Sequence, residues 1–372
     1  MSVEGDALEV ELRSQLGELA VRFDAKHLET CAREIAAGRL GPRSNHLPKL
    51  PRAAAREDVE WLAELPQARL DRLAAEGRAL LESGKVAVAV LNGGMATRFG
   101  GVVKGTVEAV SGRSFLELKY AQARARGPLR FAVMNSFATH RATRTHLAER
   151  GLTAGTETFL QSVSLRLTTE GDLFRDTSGR ISPYAPGHGD FPEALRESGT
   201  LDRLRSAGVE IVMLSNVDNL GADPDPRVVG FHRSHGRPLT VELAESRPGD
   251  SGGAPVWVEG RLQVVEGFRF PPGFDATALP FLNTNTFLFS IEALERTYPL
   301  QWFYVEKRVE DRVAVQMERL VGQLSAFVET AYLAAPRRGP DCRFFPVKSR
   351  ADLEALRRNP DLQAHLPTPV AD

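Results

Sequence analysis

Cysteine is scarce: 372 residues hold two, Cys31 and Cys342, far apart and without CxxC spacing or histidine partners at ligand distance in sequence. That argues against a disulfide framework or structural zinc and fits a reducing compartment. Long hydrophobic runs are missing as well. No stretch approaches the ~18 apolar residues of a membrane helix, and the opening MSVEGDALEVELRSQ carries acids every few residues in place of an apolar leader. Nor is there an excess of either charge: Lys plus Arg count 47 against 48 for Asp plus Glu. A basic field for nucleic acid and an acidic excess for disorder are both excluded. With no internal repeat and no low-complexity tract, the expectation is a cytoplasmic globular protein with a sizeable core and small-molecule partners.

What is present centres on Val86–Lys104, VAVAVLNGGMATRFGGVVK. Its first half is an apolar run of β-branched and small residues, the pattern of a strand buried on both faces. It breaks into Gly93-Gly94 and Gly100-Gly101, where backbone amides can approach an anion closely, with Arg98 and Lys104 supplying charge. Glycine turns after strands are as often topological as chemical, so the loop alone leaves both meanings open. It is neither the GxGxxG dinucleotide fingerprint nor a GxxxxGK[ST] P-loop.

Residues 1–83 read as helices: apolar positions recur at helical spacing from Ala7 to Ala20, Asp24 caps the next segment, Gly38 ends it, and Asp58 and Pro66 bracket two more. Residues 84–333 alternate strand candidates (86–91, 129–134, 209–214, 239–244) with helical patterns (114–126, 138–150, 190–207). That alternation predicts an α/β fold whose mostly parallel sheet binds ligands beyond the carboxyl ends of its strands. APVWVEGRLQVVE predicts a hairpin turning at Glu259-Gly260, followed by a strand at 285–289, a helix at about 316–329 and a short strand at 343–347. Residues 334–372 form a short closing segment, with 334–340 as a candidate hinge.

Several separated motifs occur in one order: LNGGMATRFG at 91–100, MNSF at 134–137, FLQ at 159–161, PGHGD at 186–190, SNVDNLGA at 215–222, LNTNTF at 282–287 and FFPVKSRADL at 344–353. Together they resemble the UDP-glucose pyrophosphorylase family. The resemblance implies a Rossmann-like, GT-A-like nucleotidyltransferase core that joins UTP and glucose-1-phosphate, using Mg²⁺. It further implies Lys104 and Arg98 on the triphosphate, Lys348 on the sugar phosphate and the attacked phosphorus, and Asp218 on magnesium. Gln161 is expected at uracil beside the backbone of Leu91, Asn92, Gly93, Gly94 and Gly187. His188, Asn216, Val217, Glu266 and Asn285 are expected around the sugar and its phosphate. For Asp218 the plain alternative is an Asx-turn, for the asparagines a turn, and for Glu266 a solvent-facing acid.

The chain departs from the family pattern in places. Lys104 stands one residue closer to Arg98 than the family lysine, with Val103 where proline is usual, and RLVGQLS at 319–325 replaces a TAxGAA-like segment that is expected only to pack. Eukaryotic-type members continue into a C-terminal β-helix, whereas only 24 residues follow Lys348; a monomer or weak dimer is therefore expected. Uridylyl transfer to another sugar phosphate, such as an N-acetylhexosamine-1-phosphate, and a silent UDP-sugar binder are the competing expectations.

Overall fold

The structure, a computed structural model, describes residues 5–94 and 102–367. In the strand Val86–Asn92 every residue is buried. Val86, Val88 and Val90 enter one core, while Ala87, Ala89 and Leu91 enter the other. Phe131 and Val133 divide from Ala132 and Met134 in the same way, as do Ile211 and Met213 from Val212 and Leu214. Strands covered on both faces have no polar side, which is why these segments read as unbroken apolar runs.

Eight strands form the main sheet in the order Glu60–Trp61, Thr330–Ala335, Leu239–Glu245, Phe281–Ser290, Ile211–Asn216, Val86–Asn92, Arg130–Asn135, Thr156–Leu160. Phe281–Ser290 runs antiparallel to both neighbours; all other pairings in this sheet are parallel. One face is covered by the helices Gln67–Glu82, Phe115–Arg124, Pro226–His235 and Arg350–Arg357, the other by Phe191–Glu197, Thr200–Ser206 and Ile291–Glu295. The fold is thus the mixed, mostly parallel α/β architecture that the alternating pattern predicts.

Two hairpins stand beside the sheet. Gly253–Val258 and Arg261–Glu266 pair antiparallel through the predicted turn, where Glu259 (φ 49°) and Gly260 (φ 81°) both take the left-handed conformation that a two-residue loop requires. Phe303–Val309 and Arg312–Glu318 form the second. The first two helices, Gly5–Leu16 and Ala25–Ala36, pack against this second hairpin and not against the main sheet. Asp24 caps the second helix by accepting from His27 N, as expected.

Four local expectations are corrected. Residues 37–66 are not helical; Pro42, Pro48, Pro51 and Pro66 deny the backbone donors, and the segment forms 3₁₀ turns and two short strands. The single helix expected over 190–207 is two, broken at Gly199 (φ 70°). The helix expected at about 316–329 is the end of a strand followed by a 3₁₀ turn, Val321–Ala326. Residues 343–347 are irregular chain, because their bonding partners are side chains and not a neighbouring strand. No helix among the described residues is long and apolar enough to cross a membrane.

Candidate active site

Asn92 and Asn216 end adjacent parallel strands, and in register Leu91 faces Asn216. Past these ends Val217 N donates to Leu91 O at 3.2 Å, holding the two following loops side by side. A cleft of about 960 Å³ opens above them. Leu91, Asn92, Gly93, Gly94, Lys104, Gln161, Gly187, His188, Asn216, Val217, Asp218, Glu266, Asn285 and Lys348 all line it. Arg98 lies outside the described residues.

At one part of the wall Gly93 lies against the Gln161 amide so closely that a Cβ would land on Nε2. Gln161 N donates to Asn135 O at 2.9 Å, fixing the strand end that carries it. The Asn92 side chain is structural: Nδ2 donates to Asn135 Oδ1 (2.9 Å) and Thr143 Oγ1 (2.8 Å), leaving its backbone to face the cleft. Asp190 anchors the same region from beneath. Its fully buried carboxylate accepts from Ser162 N (2.5 Å), Arg22 (2.5 Å) and Arg319 (2.7 Å). Such a carboxylate, with two guanidiniums and an amide, is satisfied and immobile.

Lys104, Asp218 and the closing segment meet at another part of the wall. Lys104 Nζ donates to Asp218 Oδ2 at 2.8 Å and to Val347 O at 2.7 Å. Lys348, the next residue, is exposed, with Nζ 3.5 Å from Ser251 O and Oγ. Its amide donates to Asp352 Oδ2 (2.8 Å), which caps the helix Arg350–Arg357 together with Ser349. Among the described residues no group of three or more His, Cys, Asp or Glu is arranged to hold a metal.

His188, Glu266 and Asn285 complete the lining. His188 Nδ1 accepts from Val321 N at 3.0 Å, which leaves the ring proton on Nε2 as a donor. Burial pushes the imidazole down to about 4, so it is neutral near pH 7. The 319–325 segment therefore does more than pack, contrary to expectation: it orients His188, and Arg319 O accepts from Gly189 N at 2.9 Å. Burial pushes the Glu266 carboxyl up to about 7, against the weak opposing pull of Arg269. Asn285 sits at φ 58° where the pairing of its strand shifts register, an irregularity that turns its side chain to Asn216 Oδ1 at 2.9 Å. Its own Oδ1 is buried without a hydrogen-bond partner.

The sequence model of the UTP–glucose-1-phosphate uridylyltransferase family matches residues 52–361, most of the chain. The chain belongs to this family. It is 31% identical over 299 residues to the enzyme of that name from Hordeum vulgare, covering 74% of this chain and 62% of that one. The Saccharomyces cerevisiae enzyme is 29% identical over 294 residues, covering 72% and 58%. The chain thus spans about three fifths of the length of these relatives. Among solved structures, a Leishmania major UDP-glucose pyrophosphorylase mutant in complex with UDP-glucose superposes with a TM-score of 0.73 at 23% identity, covering 96% of this chain and 79% of that one. A Trypanosoma brucei uridine diphosphate N-acetylglucosamine pyrophosphorylase gives 0.77 at 21%, covering 95% and 80%. At these identities the two structures speak to the fold.

For this member of the uridylyltransferase family, sequence reasoning missed Arg166, which lines the cleft though only 7% exposed and donates to Ser182 Oγ and Pro183 O, both at 2.9 Å. Its signal was an arginine within the alternating SVSLRLT. It also missed Asp190 as an anchor, and Ser251 as the residue opposite Lys348.

Proposed function

We propose that this protein is a uridylyltransferase that joins UTP and glucose-1-phosphate into UDP-glucose and pyrophosphate. The observation that carries the proposal is the meeting of Lys104, Asp218 and the Lys348 segment at one cleft wall, with the Gly93–Gln161 contact on the same cleft. A side-chain amide donates and accepts at once, which suits the imide edge of uracil, and the tight fit of Gly93 holds that amide in place.

The sugar phosphate oxygen attacks the α-phosphorus of UTP directly, and no protein nucleophile is needed. Such transfers are catalysed by alignment and by cations where charge accumulates. Lys104 holds the triphosphate and Lys348 the entering phosphate; either ammonium contributes several kcal/mol if it tightens in the transition state. Asp218 fits a hard divalent cation: its Oδ2 already faces a positive group at 2.8 Å, and phosphate oxygens complete the usual magnesium shell. Mg²⁺ bound there would neutralise the triphosphate. Nε2–H of His188 and the side chains of Asn216, Asn285 and Glu266 supply donors and acceptors for sugar hydroxyls.

Pyrophosphate release with UTP, Mg²⁺ and a panel of sugar-1-phosphates, with and without EDTA, tests this. EDTA-sensitive release with glucose-1-phosphate supports it. Release only with another sugar phosphate moves the specificity, and none with any sugar despite UDP-glucose binding overturns the catalytic reading.

A further inference from the structure

Arg343 is 2% exposed and sends no group into the cleft. Its Nε donates to Glu242 Oε2 at 2.6 Å and its Nη2 to Glu242 Oε1 at 3.1 Å, gripping a strand in the main sheet. Nη1 donates to Asp223 Oδ1 at 3.0 Å and Nη2 to Asp223 O at 2.8 Å, gripping the end of the loop that carries Asp218. The backbone follows the same course. Asn219 Nδ2 donates to Arg343 O at 3.2 Å, and Phe345 N donates to Asn219 Oδ1 at 3.0 Å. Gly221 lets the chains touch: a Cβ there would lie 2.5 Å from the Arg343 carbonyl carbon. His365 closes the cluster, with Nδ1 2.9 Å from Asp223 Oδ1 and Nε2 2.6 Å from Cys342 O.

Residues 342–347 pair with no strand, so these side-chain bonds decide where the segment runs. Five positions separate Asp218 from Asp223, and five separate Arg343 from Lys348. The Arg343–Asp223 pair therefore ties together, beneath the cleft, the two stretches that deliver Asp218 and Lys348 above it. The amide cap at Asp352 and the Lys104–Val347 bond restrain the far end of the segment.

We propose that Arg343 is a positioning residue that sets Lys348 and Asp218 in one register, so that Lys348 is presented on a fixed segment and not on a hinged one. The proposal rests on the uridylyltransferase reading for its effect on turnover. Lysine at this position keeps the charge but loses the planar fork that engages two carboxylates at once.

The test is a mutant cycle in the full chain: Arg343→Lys, Lys348→Ala and the double variant, read by pyrophosphate release, with thermal unfolding and amide hydrogen exchange on each. Arg343→Lys is expected to lower kcat about 10- to 100-fold with the UTP KM within about twofold, since a misplacement of an ångström costs that much. Added to Lys348→Ala it is expected to lower kcat distinctly less than in the wild-type background, because one of the two groups it positions is gone and only its effect through Asp218 remains. An equal loss in both backgrounds, or no loss in either, overturns the proposal. Hydrogen exchange is expected to rise in Arg343→Lys over 343–349 and 216–222 together, and unchanged exchange there also overturns it. If Arg343→Lys does not fold, Glu242→Gln takes its place in the same cycle. An inactive wild-type chain would defeat the uridylyltransferase reading, while the exchange measurement would still decide whether Arg343 fixes the segment.

Discussion

Lys104 Nζ lies 2.8 Å from Asp218 Oδ2, so the ammonium proposed for triphosphate and the carboxylate proposed for magnesium form an ion pair in the cleft wall. Both side chains are partly open to solvent, at 28% and 13%, and such a pair stabilises the fold by only about 1 kcal/mol or less. Under the proposed function its weight falls on binding, where a nucleotide with its cation would replace one neutral pairing by another.

Lys104→Met should therefore cost little stability and much activity. The expected outcome is a kcat loss of about 10²- to 10³-fold with a melting shift of only a few degrees. Steady-state kinetics and thermal unfolding on one preparation check both halves. A variant that melts far below the wild type would show that the pair is structural.

Gly93→Ala should strike nucleotide binding through Gln161. The added Cβ lands on the Gln161 amide, and relieving such overlap costs about 1–3 kcal/mol, so the UTP dissociation constant should rise about tenfold or more. Gln161→Ala removes the obstacle, and the double variant should bind UTP no worse than Gln161→Ala alone. Calorimetric titration measures all three.

Asn285 separates strain from chemistry. Its φ of 58° disfavours a Cβ, so Asn285→Ala should destabilise by about 1 kcal/mol while Asn285→Gly holds stability near the wild type. Both lose the amide bonded to Asn216. Both should therefore raise the sugar-phosphate KM alike; a normal KM in the glycine variant would remove Asn285 from the sugar site.

Glu266 gives the protein a signed pH dependence. Burial holds its carboxyl at about 7 against an ordinary 4.5, so between those values the folded state binds the extra proton. Stability from this group is present below about 4.5 and declines as pH rises through about 7. Glu266→Gln should flatten that decline, by on the order of 1–2 kcal/mol after screening in an open cleft. Melting temperatures of the two proteins from pH 4.5 to 8 decide it; parallel curves would rule it out.

Much of the fold was legible because two-sided burial leaves a plain mark. Val86–Leu91 and Ile211–Leu214 could be read as central strands, and the glycine and asparagine motifs fell past their ends, where parallel sheets bind ligands. The hairpin turn at Glu259-Gly260 was legible for a local reason too, since Gly260 stands between two alternating apolar stretches; that Glu259 also takes a positive φ was decided by the turn itself. Where the local pattern was neutral, the reading failed. Residues 321–326 and 343–347 have mixed apolar character that suits helix, strand or coil, and neighbours distant in sequence chose among them: His188 for the first, Asn219, Asp223 and Glu242 for the second.

The amino-acid sequence by itself determined the α/β class and the central strands, because burial period and turn chemistry act over a few neighbouring residues, while the polar residues that meet at the cleft were named through the resemblance of its motifs to the family. Only the tertiary structure decided that Lys104 rests on Asp218, that Glu266 is held protonated toward neutral pH, that Asn92 turns inward, and that Arg343 ties the Lys348 segment to the Asp218 loop. Each of these depends on desolvation or on a partner on the order of a hundred positions away or at a site that no local pattern marks, and such energies exist only once the chain has closed around them.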